Sequence, residues 1–202
     1  MVKQGRIGSK MGEKLKNGSL QLVALGANLS SSESTINQTL QDAIKMLAQS
    51  GFVIRAVSRF FSTPCFPVGA GPDYVNAAIA LQSTLAAPET LHRLHKIEAH
   101  FGRERVQRWG QRTLDLDLIA VEDLVLPDAH GFAKWHGLDP SLQLQAAPET
   151  LVLPHPRLQD RAFVLVPLVD IARDWRHPVL DKTVAQMLAA LPEQDVAGVT
   201  PI

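Results

Sequence analysis

From Arg108 to Ile119 the chain reads Arg-Trp-Gly-Gln-Arg-Thr-Leu-Asp-Leu-Asp-Leu-Ile, an arginine-rich stretch running into two carboxylates at i and i+2. In a strand, that spacing turns Asp115 and Asp117 to one face. Like charges side by side repel, so the pair is stabilised by positive charge between or above it. Hard divalent cations carried by a polyphosphate meet that need. Asp-Leu-Asp alone also fits a half-exposed strand with leucine inside and aspartate outside. Four arginines just upstream, Arg103, Arg105, Arg108 and Arg112, shift the balance towards an anion site. Guanidinium stays charged and grips phosphate oxygens in pairs. Carboxylates for metal beside arginines for phosphate point to phosphoryl or diphosphoryl transfer, where the protein mainly positions groups and neutralises charge.

Other phosphate devices are missing from the sequence. It holds no Walker-type glycine loop, and Gly69-Ala70-Gly71 is too short for a dinucleotide fingerprint. A nucleotide must therefore be held by side chains and strand-edge backbone, with the segment between Arg103 and Arg112 able to close over it. His155, fixed between Pro154 and Pro156, is expected to be exposed and suits a phosphate contact. The seven histidines lack metal-ligand spacing, and no serine or cysteine nucleophile has a visible partner set.

The elements that must hold these residues follow from hydrophobic period. Leu20–Leu25 is a short apolar strand ending in Gly26-Ala27-Asn28, where a sharp turn into a loop is expected. Ile36, Leu40, Ile44 and Leu47 recur at helical spacing and Gly51 caps them. Phe52–Phe61 is rich in β-formers, and Thr63–Pro72 is a loop dense in proline and glycine. Tyr74–Thr84 alternates, with Val75, Ala77, Ile79 and Leu81 on one side and Tyr74, Asn76, Ala78 and Gln82 on the other. Pro88 and Glu89 open a second helix with Leu91, Leu94, Ile97 and Phe101 as its buried stripe, and Gly102 ends it.

Strand, helix, strand, strand, helix, strand is the split, ferredoxin-like βαββαβ order of an α+β fold. Its helices are expected to cover one sheet face and leave the other to a ligand, with Tyr74, Asn76, Asp115 and Asp117 on that open side. Residues 127–150 lose periodicity and are expected to form an irregular loop or insertion. Beyond them a helix is expected from Pro167 through Ala172, and a last amphipathic helix carries Val184, Met187, Leu188 and Leu191.

With 202 residues and 46% hydrophobic content, one core and one domain over residues 20–202 are expected, behind a flexible leader at 1–19. That leader is basic but has no apolar stretch behind it, so neither a signal peptide nor an anchor is expected there. Twenty basic residues balance twenty acidic ones, which leaves no global field for a nucleic-acid backbone. The single cysteine, Cys65, excludes an intrachain disulfide and agrees with a reducing cytoplasm.

Residues 20–126 and 150–180 resemble the hydroxymethyl-dihydropterin pyrophosphokinases, the folate-pathway enzymes that move diphosphate from ATP to a pterin hydroxymethyl group. The run Arg108–Asp117 carries most of the likeness. Leu25-Gly26-Ala27-Asn28-Leu29, Pro72-Asp73-Tyr74-Val75-Asn76-Ala77, and Pro154-His155-Pro156 with Arg161-Ala162-Phe163 follow the family pattern in order. The resemblance implies that Asp115 and Asp117 bind two magnesium ions arriving with ATP, and that Arg103 and Arg112 assist transfer while Arg105 and Trp109 fold over the site. It implies that Asn76 bonds the edge of 6-hydroxymethyl-7,8-dihydropterin, Tyr74 and Phe163 sandwich its ring, and the backbone at Thr63, Cys65 and Val68 touches it. His155 and Arg161 would meet the ATP phosphates or ribose, and His95 stands where the family often has glutamine near the adenine. A flat polar bicycle does want aromatic faces and an amide at its edge, and Asn76 on an apolar strand is costly unless it is bonded.

The chain departs from the pattern at Gln111, where proline or a small residue is usual, in a longer loop before Tyr74, and at 127–150, which has no counterpart. Two other classes compete. A metal-dependent phosphohydrolase could use the same aspartates. An RNA-binding module could use the open sheet, but this chain lacks the exposed aromatic pattern and basic balance such modules show. No nucleic-acid or membrane partner is expected, and a monomer is the expected state.

Overall fold

The computed structural model describes residues 18–29, 35–65, 71–102, 113–139, 142 and 148–202. In chain order the elements are β1 (Ser19–Ala27), α1 (Ile36–Gln49), β2 (Val53–Val57), β3 (Phe61–Thr63), β4 (Tyr74–Ser83), α2 (Ala87–His100), β5 (Asp115–Val121), α3 (Ala129–His136), α4 (Ala162–Ala172), α5 (Val184–Leu188), α6 (Glu193–Ala197) and β6 (Thr200–Pro201). The sheet runs β5-β1-β4-β3-β6, with β2 also paired to β4. β1 therefore sits between β4 and β5, antiparallel to both. This is the expected βαββαβ layout, except that the β-rich run after α1 divides in two. β2 takes the Ile79–Gln82 part of β4 and β3 takes Tyr74–Asn76. Ser58 spans the break: its N–H donates to the Ala78 carbonyl and its Oγ accepts from the Ala78 N–H, both at 2.9 Å.

The two expected helices form where their caps predict. Thr35 Oγ1 accepts from the Gln38 N–H at 3.2 Å, and Gly51, at φ +88°, lets the chain leave α1. In the first turn of α2, Glu89 Oε2 accepts from the Ala86 N–H at 3.1 Å. Leu40, Leu47, Leu94 and Ile97 from these helices pack on Val23, Leu25, Ile79, Leu81, Leu116 and Leu118. Each such side chain contributes about 1.5–3 kcal/mol of burial.

The opposite sheet face is not left wholly open, contrary to expectation. A second core lies there, made of Leu22, Ala78, Ala80, Ile119 and Ala120 under Val164, Leu165 and Leu168 of α4 and Val184 and Met187 of α5. α4 starts at Ala162 rather than Pro167, and Pro167 lies inside it. Ala162, Val164, Leu165, Pro167 and Leu168 are all buried, so the helix presents no single apolar stripe for a period to reveal. Pro167 lacks the N–H that the Phe163 carbonyl would accept, a local loss that burial outweighs here.

Residues 127–150 are not irregular throughout. Asp128 Oδ1 accepts from the Gly131 N–H at 2.7 Å and starts α3. Only Phe132 of that helix is buried, which explains the missing period. Its ring lies 5.4 Å from that of His177, edge-on. The first strand starts one residue sooner than expected: Ser19 is already in β1, paired with Ser83. The expected last helix forms as α5 but stops at Leu188, with Leu191 beyond it; α6 follows unforeseen, and β6 pairs with Phe61 and Ser62 of β3. No helix among the described residues is long and apolar enough to cross a membrane.

Candidate active site

Register lays the face opposite α1 and α2 out in rows. Asp115, Gly26 and Asn76 align across β5, β1 and β4; Asp117, Ala24 and Ala78 come next, then Ala120, Leu22 and Ala80. The third row is core under α4. The first two are polar or small, and Ala24 and Gly26 stay half-exposed. The expected aspartate face is therefore real but confined to one end.

Gly26 does not end β1, which continues through Ala27. Its part is to lack a side chain: a Cβ there would meet Asn76 Oδ1 at 3.0 Å. Asn76 is buried and its Nδ2 donates to Thr63 Oγ1 at 2.6 Å, which satisfies one end of the amide and holds Oδ1 towards Gly26. Tyr74, two residues earlier, projects from the same side of β4 and is half-buried. Cys65, just past β3, is half-buried, and its N–H reaches Asp73 Oδ1 at 3.4 Å.

Asp115 and Asp117 are half-buried on β5. Arg161, the residue before α4, brings Nη1 to 3.8 Å from Asp117 Oδ2, and its guanidinium carbon sits 5.7 Å from the Phe163 ring centroid. The aspartate strand is thus tied to the start of α4, where Phe163 is exposed. The pair offers hard oxygen ligands, and among the described residues no third His, Cys, Asp or Glu joins them. A cation on two carboxylates must draw its other ligands from water and substrate, the usual coordination of nucleotide-borne magnesium. The donor set fits that ion.

His155 corrects one expectation, because it is half-buried rather than exposed. Its N–H donates to the Ile119 carbonyl at 2.8 Å, laying the Pro154–Pro156 segment along the outer edge of β5. Burial first, then the Arg161 and Arg157 charges, push its pKa down to about 3, against the upward pull of its own backbone hydrogen bond and of Asp115. Nδ1 accepts from the Arg157 N–H at 3.1 Å, so the neutral ring carries its proton on Nε2. It can donate one hydrogen bond and brings no charge at neutral pH.

His95 lies half-buried on α2, one turn before Glu98. Arg103, Arg105, Trp109, Arg112 and Val68 lie outside the described residues. The structure brings Asp115, Asp117, Asn76, Thr63, Tyr74, His155, Arg161 and Phe163 to one end of the sheet. Two positions escaped the sequence reading. Gly26 was visible as a glycine within a strand pattern, a sign of close backbone approach. Glu98 was visible as an acid beside the apolar stripe of α2. It is 1% exposed, and its Oε1 accepts from the Leu116 N–H at 2.8 Å.

The family model of 7,8-dihydro-6-hydroxymethylpterin-pyrophosphokinase matches residues 22–173. A 2-amino-4-hydroxy-6-hydroxymethyldihydropteridine pyrophosphokinase of Synechocystis sp. is 36% identical, covering 90% of this chain and 79% of that protein. One of Pseudomonas aeruginosa is 37% identical, covering 86% and 93%. Among solved structures, a Plasmodium falciparum HPPK-DHPS with pterin and p-hydroxybenzoate superposes with a TM-score of 0.59 at 12% identity, over 85% of this chain. The chain spans only 43% of that longer one, and at such low identity the likeness speaks for the fold. With the family model spanning residues 22–173, which include the aspartate pair and the start of α4, and two relatives above 30% identity covered over most of their length, the chain belongs to the 7,8-dihydro-6-hydroxymethylpterin-pyrophosphokinase family.

Proposed function

We propose that this chain transfers diphosphate from ATP to the hydroxymethyl group of 6-hydroxymethyl-7,8-dihydropterin, a step of tetrahydrofolate biosynthesis. The hydroxyl oxygen attacks the β-phosphorus, the bond from that phosphorus to the α-phosphate oxygen breaks, and AMP, pterin diphosphate and one proton leave. The observation that carries this reading is the row Asp115–Gly26–Asn76, which sets a metal-type carboxylate and a buried amide on either side of a position without a side chain. Family membership supports the substrates.

Asn76, steadied by Thr63, reads the polar edge of the pterin, and Tyr74 and Phe163 cover its faces, with the Cys65 backbone beside them. Asp115 and Asp117 would hold two magnesium ions, which supply charge screening of the triphosphate when bound. Arg161 lies close enough to Asp117 to meet a phosphate oxygen, and neutral His155 donates from Nε2. We assign Arg103 and Arg112 to stabilising charge on the phosphates during transfer, Arg105 to ATP, Trp109 to the pterin and His95 to the adenine. These arginines are always charged, so their contribution does not vary near neutral pH. The protein would act as a cytoplasmic monomer without nucleic acid.

Incubation with ATP, Mg²⁺ and the pterin tests the proposal. AMP formation should depend strictly on pterin. Orthophosphate formed from ATP without pterin would overturn it in favour of a phosphohydrolase.

A further inference from the structure

We infer that Glu98 is a positioning residue for the aspartate pair: from behind β5 it fixes the backbone between Asp115 and Asp117, and so the geometry at which both carboxylates meet a nucleotide-borne divalent cation. This rests on the proposed function. Ala87, Thr90, Leu94, Ile97 and Glu98 are the buried positions along the inner side of α2, and a carboxylate there is costly unless it is hydrogen-bonded. Leucine would fill the same place with no such cost, so the acid is there for its oxygens. β5 is an edge strand with β1 as its neighbour, and an edge leaves N–H groups without strand partners. The Leu116 N–H is instead bonded by Glu98 Oε1 at 2.8 Å in a buried setting.

Leu116 is thereby held in three directions. Its side chain is 1% exposed in the α1–α2 core, it pairs with Leu25 on β1, and its N–H is held by Glu98. The residues on either side of it are Asp115 and Asp117, whose side chains point the opposite way. Magnesium demands near-octahedral geometry at short, narrowly defined distances, so a small shift of this peptide moves both ligands off their mark. Partners behind metal ligands commonly change metal affinity by about 10–100-fold when removed.

Glu98→Gln keeps an acceptor oxygen at the same place, Glu98→Ala removes it, and Glu98→Leu fills the space without one. Binding of Mn²⁺ in the presence of a non-hydrolysable ATP analogue, followed by electron paramagnetic resonance on the full chain, is the readout, with Leu116 amide exchange beside it. Glu98→Ala and Glu98→Leu should weaken Mn²⁺ binding by about 10-fold and speed Leu116 exchange by about as much. Glu98→Gln should stay within about 2-fold of wild type on both. Unchanged Mn²⁺ affinity in a folded Glu98→Ala or Glu98→Leu overturns the inference, and so does equal damage from Glu98→Gln. If neither truncated variant folds, the wild-type amide decides: Leu116 should exchange among the slowest strand amides, and exchange at the rate of an exposed edge refutes the inference. Neither readout needs turnover. A wild-type chain that binds Mn²⁺ and nucleotide yet makes no AMP with pterin counts against the proposed function alone.

Discussion

At one end of the sheet face shared by β5, β1 and β4, Leu22, Ala80, Ile119 and Ala120 lie beneath α4. At the other end, beyond the start of that helix, the same strands present Gly26, Asn76, Asp115 and Asp117. The same three strands run through both ends, with one register shift at Ile119 in β5, and it is the side chains that change character. Alanines at 78 and 80 let a bulky apolar helix sit close, whereas a carboxylate pair cannot be covered by such a helix without a large desolvation cost. The proposed function thus puts packing at one end of this face and chemistry at the other, and substitutions should separate the two.

The largest expected effect is at the polar end. Asp117→Ala should lower kcat by at least about 10³-fold, because it deletes a metal ligand, while the melting temperature stays within a few degrees. Turnover within about 10-fold of wild type would remove Asp117 from the site. The counterpart at the apolar end is Leu165→Ala, which should cost about 2–5 kcal/mol of unfolding free energy in urea and leave KM for both substrates unchanged in the folded protein. A large KM change there would join the two ends. Gly26→Ala, whose Cβ would press on Asn76 Oδ1 at 3.0 Å, should raise KM for pterin about 10-fold with little change in KM for ATP. Equal rises would mean that the glycine serves the nucleotide.

A smaller effect comes from pH. His177 is buried against Phe132 and Trp175, and burial first, then the nearby His136, push its pKa down to about 4. A folded pKa below that of the unfolded chain means the stabilising form is the neutral one. That contribution is complete above about pH 6.5 and is lost as pH falls towards 4, with a slope of at most about 1.4 kcal/mol per pH unit. His155, depressed to about 3, adds in the same direction over the same descent. Urea unfolding at pH 7 and pH 5 should show the protein less stable at pH 5, and identical midpoints would contradict this burial.

What could be read without coordinates follows the same division. α1 and α2 each bury a single side, so their periods declare them; β4 is buried on both faces but sets Val75, Ile79 and Leu81 against Asn76, Ala78 and Ala80, and Asp115 with Asp117 needs only a strand to become a pair. α4 is buried along most of its length and carries Pro167, so its first turns mimic a strand. α3 buries Phe132 alone and leaves no pattern. Asn76, His155 and Arg161, singled out by motif order, lie at the polar end of the sheet, although the burial of His155 was not foreseen. Gly26 and Glu98 meet neighbours distant in the chain, Asn76 across the sheet and Leu116 across the core, so the sequence shows the unusual residue types but not their partners.

The central claim is that diphosphate transfer occurs at the uncovered end of this face. The most direct measurement is a crystal structure with Mg²⁺, a non-hydrolysable ATP analogue and 6-hydroxymethylpterin bound together. The expected result is metal on Asp115 and Asp117 with the pterin edge on Asn76 above Gly26; metal and pterin bound elsewhere, with both aspartates facing only water, would contradict it.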